Sequence, residues 1–166
     1  MQKTRGILLA AVLTIALGPA LAMAGPDTDI GYRGWGPRLG FSSNPDQFVF
    51  GAGLDFGVFA RHVRFQPNIE MGLGDHRTTG ALNLDTTYRF SSESSVWTPY
   101  LGGGVGLSAS GSDNGLRDDT DTGFGASAIG GIEKGLSNGD RFFTEVKFGV
   151  NDAPDFKLMA GWIFYH

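Results

Sequence analysis

The chain contains no cysteine among its 166 residues, so no disulfide framework holds its fold together. It also has little positive charge, with 13 basic residues against 17 acidic ones and a net charge of −4. An acidic chain without a basic cluster argues against nucleic acid as a partner. Beyond the N-terminal region, no apolar run reaches the length of about 20 residues that a membrane-spanning helix requires. The length is that of one domain.

The N-terminus has the three parts of a secretory signal peptide. Lys3 and Arg5 supply the positive charge, residues 6–17 form a short apolar run, and Ala22-Met23-Ala24 is a small-x-small cleavage site. Cleavage is predicted after Ala24, and it leaves 11 basic residues against 17 acidic ones, a net charge of −6. The predicted organisation is a signal peptide at 1–24, a short lead-in at 25–33 and one domain at 34–166.

Apolar residues alternate with polar residues or glycine over most of this domain. In 63–74 six apolar residues alternate with six that are polar or glycine, which is the two-residue period of a β-strand. Ile129 breaks the alternation of its stretch, and Pro67 removes a backbone donor in mid-strand, so we expect a local bulge at Pro67. Eight strands are predicted, at 35–42, 48–58, 63–74, 81–90, 96–109, 122–134, 141–150 and 156–166.

The segments between these strands are polar and rich in turn-forming residues. Asn138-Gly139 is a hairpin signal, and the longest loop is predicted at 110–121, where Asp113, Asp118, Asp119 and Asp121 crowd together. The spacing of these carboxylates lacks the ordered pattern of a calcium loop. The remaining connections are predicted at 43–47, 59–62, 75–79, 91–95, 135–140 and 151–155.

The content of the two strand faces indicates which face meets lipid. A soluble barrel such as a lipocalin points its apolar face inward, whereas a membrane barrel points it outward. Here the polar face is half glycine with five acidic and five basic residues, a composition that suits a narrow interior. The apolar face has aromatic residues near the strand ends: Trp35, Phe41, Phe48, Tyr88, Phe90, Trp97, Trp162 and Phe164. The predicted luminal charge network comprises Arg38, Asp55, Arg64, Glu70, Asp85, Arg89, Glu133, Glu145, Lys147 and Lys157.

The last strand resembles the closing strand of bacterial outer-membrane barrels. Gly161, Trp162 and Phe164 fit that family's terminal insertion signal, although the family usually ends on Phe or Trp and this chain ends on His166. The stretch 98–106 also looks like a late strand of the small barrels of the OmpA/OmpX kind. The resemblance implies an all-β, eight-stranded, antiparallel, up-and-down transmembrane β-barrel in the outer membrane with both termini periplasmic.

The function that the resemblance implies is a structural or surface-interaction role with the lumen plugged by side chains. Its partners would be outer-membrane lipid, lipopolysaccharide and the assembly machinery, with no cofactor, metal or catalytic residue; the extracellular ligand is unknown. Two alternatives stay open, a lipid A-modifying enzyme and a narrow channel. Asp75, His76 and Thr78 are too local to form a catalytic constellation unaided, and the His-x-Ser-Asn pattern of the lipid A deacylases is absent.

Overall fold

Eight antiparallel strands close into one barrel in a computed structural model that describes residues 28–75, 77–90, 95–113 and 118–165. Each strand pairs with its neighbours in sequence, and the last pairs with the first, Leu39 lying opposite Ala160. The predicted fold is therefore confirmed. The strands are β1 (Asp29–Ser43), β2 (Gln47–Ala60), β3 (Val63–Gly74), β4 (Arg77–Arg89), β5 (Thr98–Asp113), β6 (Asp118–Gly135), β7 (Arg141–Asn151) and β8 (Phe156–Tyr165).

The barrel has two ends that differ in their connections. The start of β1 and the end of β8 lie at one end, here called the terminal end, with the turns at 61–62 and 136–140. The opposite end, here called the far end, has the turns at 44–46 and 152–155. Among the described residues, no helix is long and apolar enough to cross a membrane.

Several strands are longer than the alternation predicts. β1 begins at Asp29 rather than Trp35, because Asp29 and Ile30 pair with Val58 and Gly57 of β2 across a register shift. β4 begins at Arg77 within the predicted loop 75–79. Antiparallel pairing uses backbone groups, so it continues past the point where apolar side chains end.

The predicted loop at 110–121 is the largest correction. β5 continues to Asp113 and β6 begins at Asp118, and the ladder runs through Ser110, which lies opposite Asp121. The residues of this hairpin are small and polar, a composition typical of loops. Only 114–117, outside the described residues, separate the two strands.

The register irregularity expected at Pro67 occurs on the neighbouring strand. β2 has one residue more than β3 between the pairs Gly53–Asn68 and Val58–Arg64, so β2 bulges where Pro67 offers no donor. Gly57 lies in this bulge with a φ of 78°, a left-handed conformation that favours glycine. The Gly57 amide donates a hydrogen bond of 2.9 Å to the Asp55 side chain. The bulge thus places a backbone amide against the Asp55 carboxylate, which points into the barrel interior.

The barrel is polar inside and apolar outside. Large apolar side chains are exposed around its outer wall, with Ile69 60 % and Leu101 57 % exposed, whereas Glu70 next to Ile69 is 5 % exposed. The buried residues of the described chain include more polar and charged side chains than apolar ones. This arrangement is the inverse of a soluble barrel.

Candidate functional site

The interior of the barrel collects the charged residues of the polar face. Nine of the ten residues of the predicted luminal network are buried, and Arg89, at the terminal end, has a side chain that is 43 % exposed. All ten make ion pairs, and the pairs divide into two separate clusters. We call them the far-end cluster (Arg38, Glu70, Asp85, Glu145, Lys147 and Lys157) and the terminal-end cluster (Asp55, Arg64, Arg89, Glu133 and Arg141).

The far-end cluster is electrically balanced, with three cations and three carboxylates. Arg38 lies between two carboxylates, pairing with Glu145 and lying 3.2 Å from Glu70. Lys157 donates to the other oxygen of Glu70 at 2.5 Å, and Lys147 pairs with Asp85. Because buried charges are stable only when they are paired, this balance is what allows six ionised groups inside a narrow barrel.

Two asparagines extend the far-end cluster along the wall. Asn68 donates to Asp85 at 2.7 Å, and Asn83 donates to the oxygen of Asn68 at 2.9 Å. Asn68 is buried, so these amide groups satisfy polar atoms that water does not reach. The chain of hydrogen bonds fixes the orientation of the Asp85 carboxylate that receives Lys147.

The terminal-end cluster is centred on Glu133, which is 1 % exposed. Arg64 holds it with both terminal nitrogens, at 3.2 and 2.8 Å, and Arg89 approaches the same carboxylate to 2.6 Å. Arg141 lies 3.4 Å from Glu133 and donates to Asp55 at 2.9 Å. Three guanidinium groups therefore share two carboxylates.

An apolar layer in the interior contacts both clusters. It consists of Tyr100, Ile129, Phe143 and Ile163, none more than 5 % exposed. The Arg38 guanidinium lies 5.6 Å from the Phe143 ring, and that of Arg64 lies 5.8 Å from the Tyr100 ring. Ile129, which breaks the sequence alternation, is thus an inward-facing core residue.

Glycines of the neighbouring strands make room for the two rings of this layer. A Cβ at Gly131 would lie 2.4 Å from the Tyr100 ring, and one at Gly161 would lie 2.5 Å from the Phe143 ring. Both distances are far below ordinary van der Waals contact. Gly161, which the sequence assigns to the insertion signal, therefore also has a packing role.

We expect Tyr100→Phe to destabilise the barrel by about 1.5–3 kcal/mol, because the Tyr100 hydroxyl donates a buried hydrogen bond of 2.9 Å to Glu145. Urea unfolding in lipid vesicles measures the change. The matched control is Tyr88→Phe on the outer wall, where the ring is 44 % exposed, and there the change should stay within about 0.5 kcal/mol. Equal effects at both positions would contradict the assigned role of the Tyr100 hydroxyl.

A polar cavity of about 370 Å³ opens at the far end above the far-end cluster. Glu70, Lys147 and Lys157 line it toward the barrel interior, and small polar side chains such as Thr79 and Ser110 line its wall. Gln47 donates to the Thr79 hydroxyl at 3.0 Å, which lies 3.0 Å from the Ser110 hydroxyl. We call this cavity the vestibule, and paired charges of the far-end cluster line its inner part.

The terminal insertion residues lie where β8 meets its neighbours. Trp162 and Phe164 face outward, and Phe164 packs edge-on against Trp35 with ring centroids 6.0 Å apart. The Trp162 indole nitrogen lies 3.3 Å from the carboxylate of Asp140, which also accepts from the Tyr165 amide. Asp140 therefore ties the end of β8 to the turn before β7.

The predicted luminal network omits Arg141, Tyr100 and Tyr165, all of which bond to charged residues of the interior. The alternation does indicate their direction. Arg141 is an even number of residues from Glu145 and Lys147 in the same strand, so it points to the same face, and the two tyrosines are related in the same way to glycines of the polar face. The Tyr165 hydroxyl donates to Asp55 at 2.8 Å.

Some candidate residues lie outside what the structure describes. These are the predicted signal peptide, His76 and His166. For Asp113, Asp118 and Asp119 the structure describes the backbone but not the side chains. In the described part of the chain, no cluster of three or more histidine or acidic side chains could hold a metal ion. Asp121 is exposed and makes no ion pair with another described residue.

No protein-family model and no curated protein matches the chain. Solved structures do match. Neisserial surface protein A superposes with a TM-score of 0.64 over 81 % of this chain and 96 % of that one, at 16 % identity. The N-terminal β-barrel domain of Pseudomonas aeruginosa OprF gives a TM-score of 0.57 over 80 % and 99 %, at 13 % identity. This chain has the fold of the small eight-stranded outer-membrane barrels.

Proposed function

We propose that the protein is an integral outer-membrane barrel with a structural or surface-interaction role and a lumen plugged by side chains. The observation that carries the proposal is the inverted barrel, with a closed wall whose outer face is apolar and whose inner face is charged and paired. A closed barrel leaves no unpaired strand edge and satisfies its backbone groups without water, as a bilayer demands.

Aromatic side chains at both ends of the outer wall support the membrane assignment. At the far end Phe41 packs on Phe48, with ring centroids 5.4 Å apart, and at the terminal end Trp97, Phe142 and Trp162 form a continuous row. Aromatic rings concentrate at the two interfaces of a bilayer. The residues between them, such as Ile69, would contact the lipid chains.

The proposed orientation rests on the long β5–β6 hairpin at the far end, by analogy with single-chain outer-membrane barrels, whose longer extensions are extracellular. The terminal end would face the periplasm and the far end the exterior. The longest hairpin, β5–β6, would then project outward with its acidic tip, together with the vestibule. Its partners would be lipopolysaccharide and the outer leaflet, and the assembly machinery would recognise Gly161, Trp162 and Phe164.

The interior packing favours a plugged barrel over the narrow channel. The apolar layer contacts charged residues on both sides, and an eight-stranded barrel is just wide enough for its own side chains to fill. No observation favours the lipid A-modifying enzyme, because the interior carboxylates of the described chain are engaged with cations rather than with a nucleophile and a base.

The mature chain is expected in the outer-membrane fraction, with the heat-modifiable gel mobility that folded barrels show. In planar bilayers it should give no stable conductance step, and the mass spectrum of lipid A should be the same with and without the protein. Recovery as a soluble periplasmic monomer would contradict the membrane assignment. A reproducible conductance would favour the narrow channel over the structural role. A change in the acyl chains of lipid A would favour the lipid A-modifying enzyme.

A further inference from the structure

The terminal-end cluster has one positive charge more than its carboxylates neutralise. Arg64, Arg89 and Arg141 face Asp55 and Glu133, which are the carboxylates that pair with them among the described residues. The far-end cluster in the same barrel has equal numbers of both signs. The side chains of Arg64 and Arg141 are buried and only Arg89 reaches water, so the surplus charge is partly screened at Arg89 and an anion would neutralise the remainder.

The hydrogen-bond donors of the cluster also exceed the acceptors available to them. Each guanidinium group has five N–H donors. The two carboxylates together have only four oxygens, which the three arginines share. The Asp55 oxygens already receive the Gly57 amide and the Tyr165 hydroxyl. The Nε atoms of Arg64, Arg89 and Arg141 are all buried, and none makes a hydrogen bond of good geometry in the described structure. Those of Arg89 and Arg141 lie against Glu133, at 2.6 and 3.4 Å, so the Nε of Arg64 is the donor left without a carboxylate among the described residues.

We propose that the terminal-end cluster binds one small oxyanion. Guanidinium groups hold carboxylate and phosphate oxygens with two parallel hydrogen bonds, so a single oxyanion would use the spare donors and remove the surplus charge together. Access comes from the terminal end, where the Arg89 side chain is 43 % exposed while Arg64 and Arg141 are buried. The site is distinct from the vestibule and does not depend on the proposed location of the barrel.

Inorganic phosphate is the probe, titrated by calorimetry and by ³¹P NMR into the barrel folded in a non-ionic detergent with zwitterionic buffer. We expect saturable binding of one phosphate per barrel. Arg89→Gln removes the surplus charge at its most exposed member and should weaken the binding about tenfold or more, the effect of losing one charge-assisted hydrogen bond.

The matched control is Arg61→Gln, which removes the same charge at the same end from an exposed turn residue outside the cluster. Its phosphate affinity should remain within about twofold of the wild type, since surface charges interact weakly. Far-ultraviolet circular dichroism and heat-modifiable mobility establish that both variants are folded. Absent or non-saturating binding would overturn the proposal, as would equal losses in the two variants.

A phospholipid headgroup has the same oxyanion chemistry as free phosphate, so the titration is repeated with phosphatidylglycerol in the micelles. If a headgroup occupies the cluster, the apparent phosphate affinity of the wild type should fall, and Arg89→Gln should abolish that difference. An unchanged affinity would assign the site to a free oxyanion.

Discussion

Glu133→Gln should destabilise the barrel by about 3–5 kcal/mol, the loss that follows when one partner of a buried ion pair is removed. Glu133 is 1 % exposed and is the carboxylate on which Arg64, Arg89 and Arg141 converge. Glutamine has nearly the same shape, so the loss would come from the charge and not from a cavity. Urea unfolding in lipid vesicles gives the free energy of unfolding of both proteins.

The control for this prediction is Asp75→Asn, the same chemical change at an exposed residue of the β3–β4 turn. Its effect should be within about 0.5 kcal/mol, as is usual for surface substitutions. If Glu133→Gln also fell within that range, the terminal-end cluster would be hydrated rather than buried, and the plugged interior would be wrong.

Ile69→Arg should destabilise the membrane-inserted barrel by about 2–4 kcal/mol, the usual loss for arginine on the lipid face near the bilayer midplane. Ile69 is 60 % exposed near the middle of β3, and its neighbour Glu70 points inward to Arg38 and Lys157. In a barrel that faced water the same substitution would be a tolerated surface change. The measurement is again the free energy of unfolding in vesicles.

A labelling experiment locates the two faces directly. Because the chain has no cysteine, a single cysteine at position 69 or 70 takes a fluorophore without other changes. Lipid-borne quenchers should reduce the fluorescence of the label at 69 and leave the label at 70 unaffected. The reverse pattern would mean that the apolar wall does not face lipid, and the proposed function would fail with it.

Most of the fold was predictable from the sequence because side-chain direction alternates with a fixed period of two. The stretch 63–74 matches β3 (Val63–Gly74) end to end, β7 is one residue longer than its prediction, and β8 matches its prediction over the residues that the structure describes. The errors occur at Asp29, Arg77 and in the β5–β6 hairpin, where small or charged residues continue the backbone ladder. Alternation of apolar side chains carries no information there, since pairing beyond the lipid-facing zone requires only backbone partners.

The composition of the interior was also predictable, but the pairing within it was not. The alternation within each strand predicts that Arg38 and Glu145 both point to the polar face. The two residues are 107 positions apart, and they meet only because β1, β8 and β7 are neighbours in the closed barrel. Arg64 and Glu133 meet across the interior in the same way. Long-range ion pairs depend on closure and strand stagger, which no local pattern contains.

By itself, the sequence determined the class of the protein: eight alternating strands with an apolar face, a polar face and aromatic strand ends. Only the tertiary structure decided how the polar face is used. It divided the charges into a balanced far-end cluster and a terminal-end cluster with a surplus cation, and it brought Tyr100, Ile129 and Phe143 into one layer in contact with both. The reason is that a strand specifies the side to which each residue points, whereas the closed barrel specifies what that residue meets there.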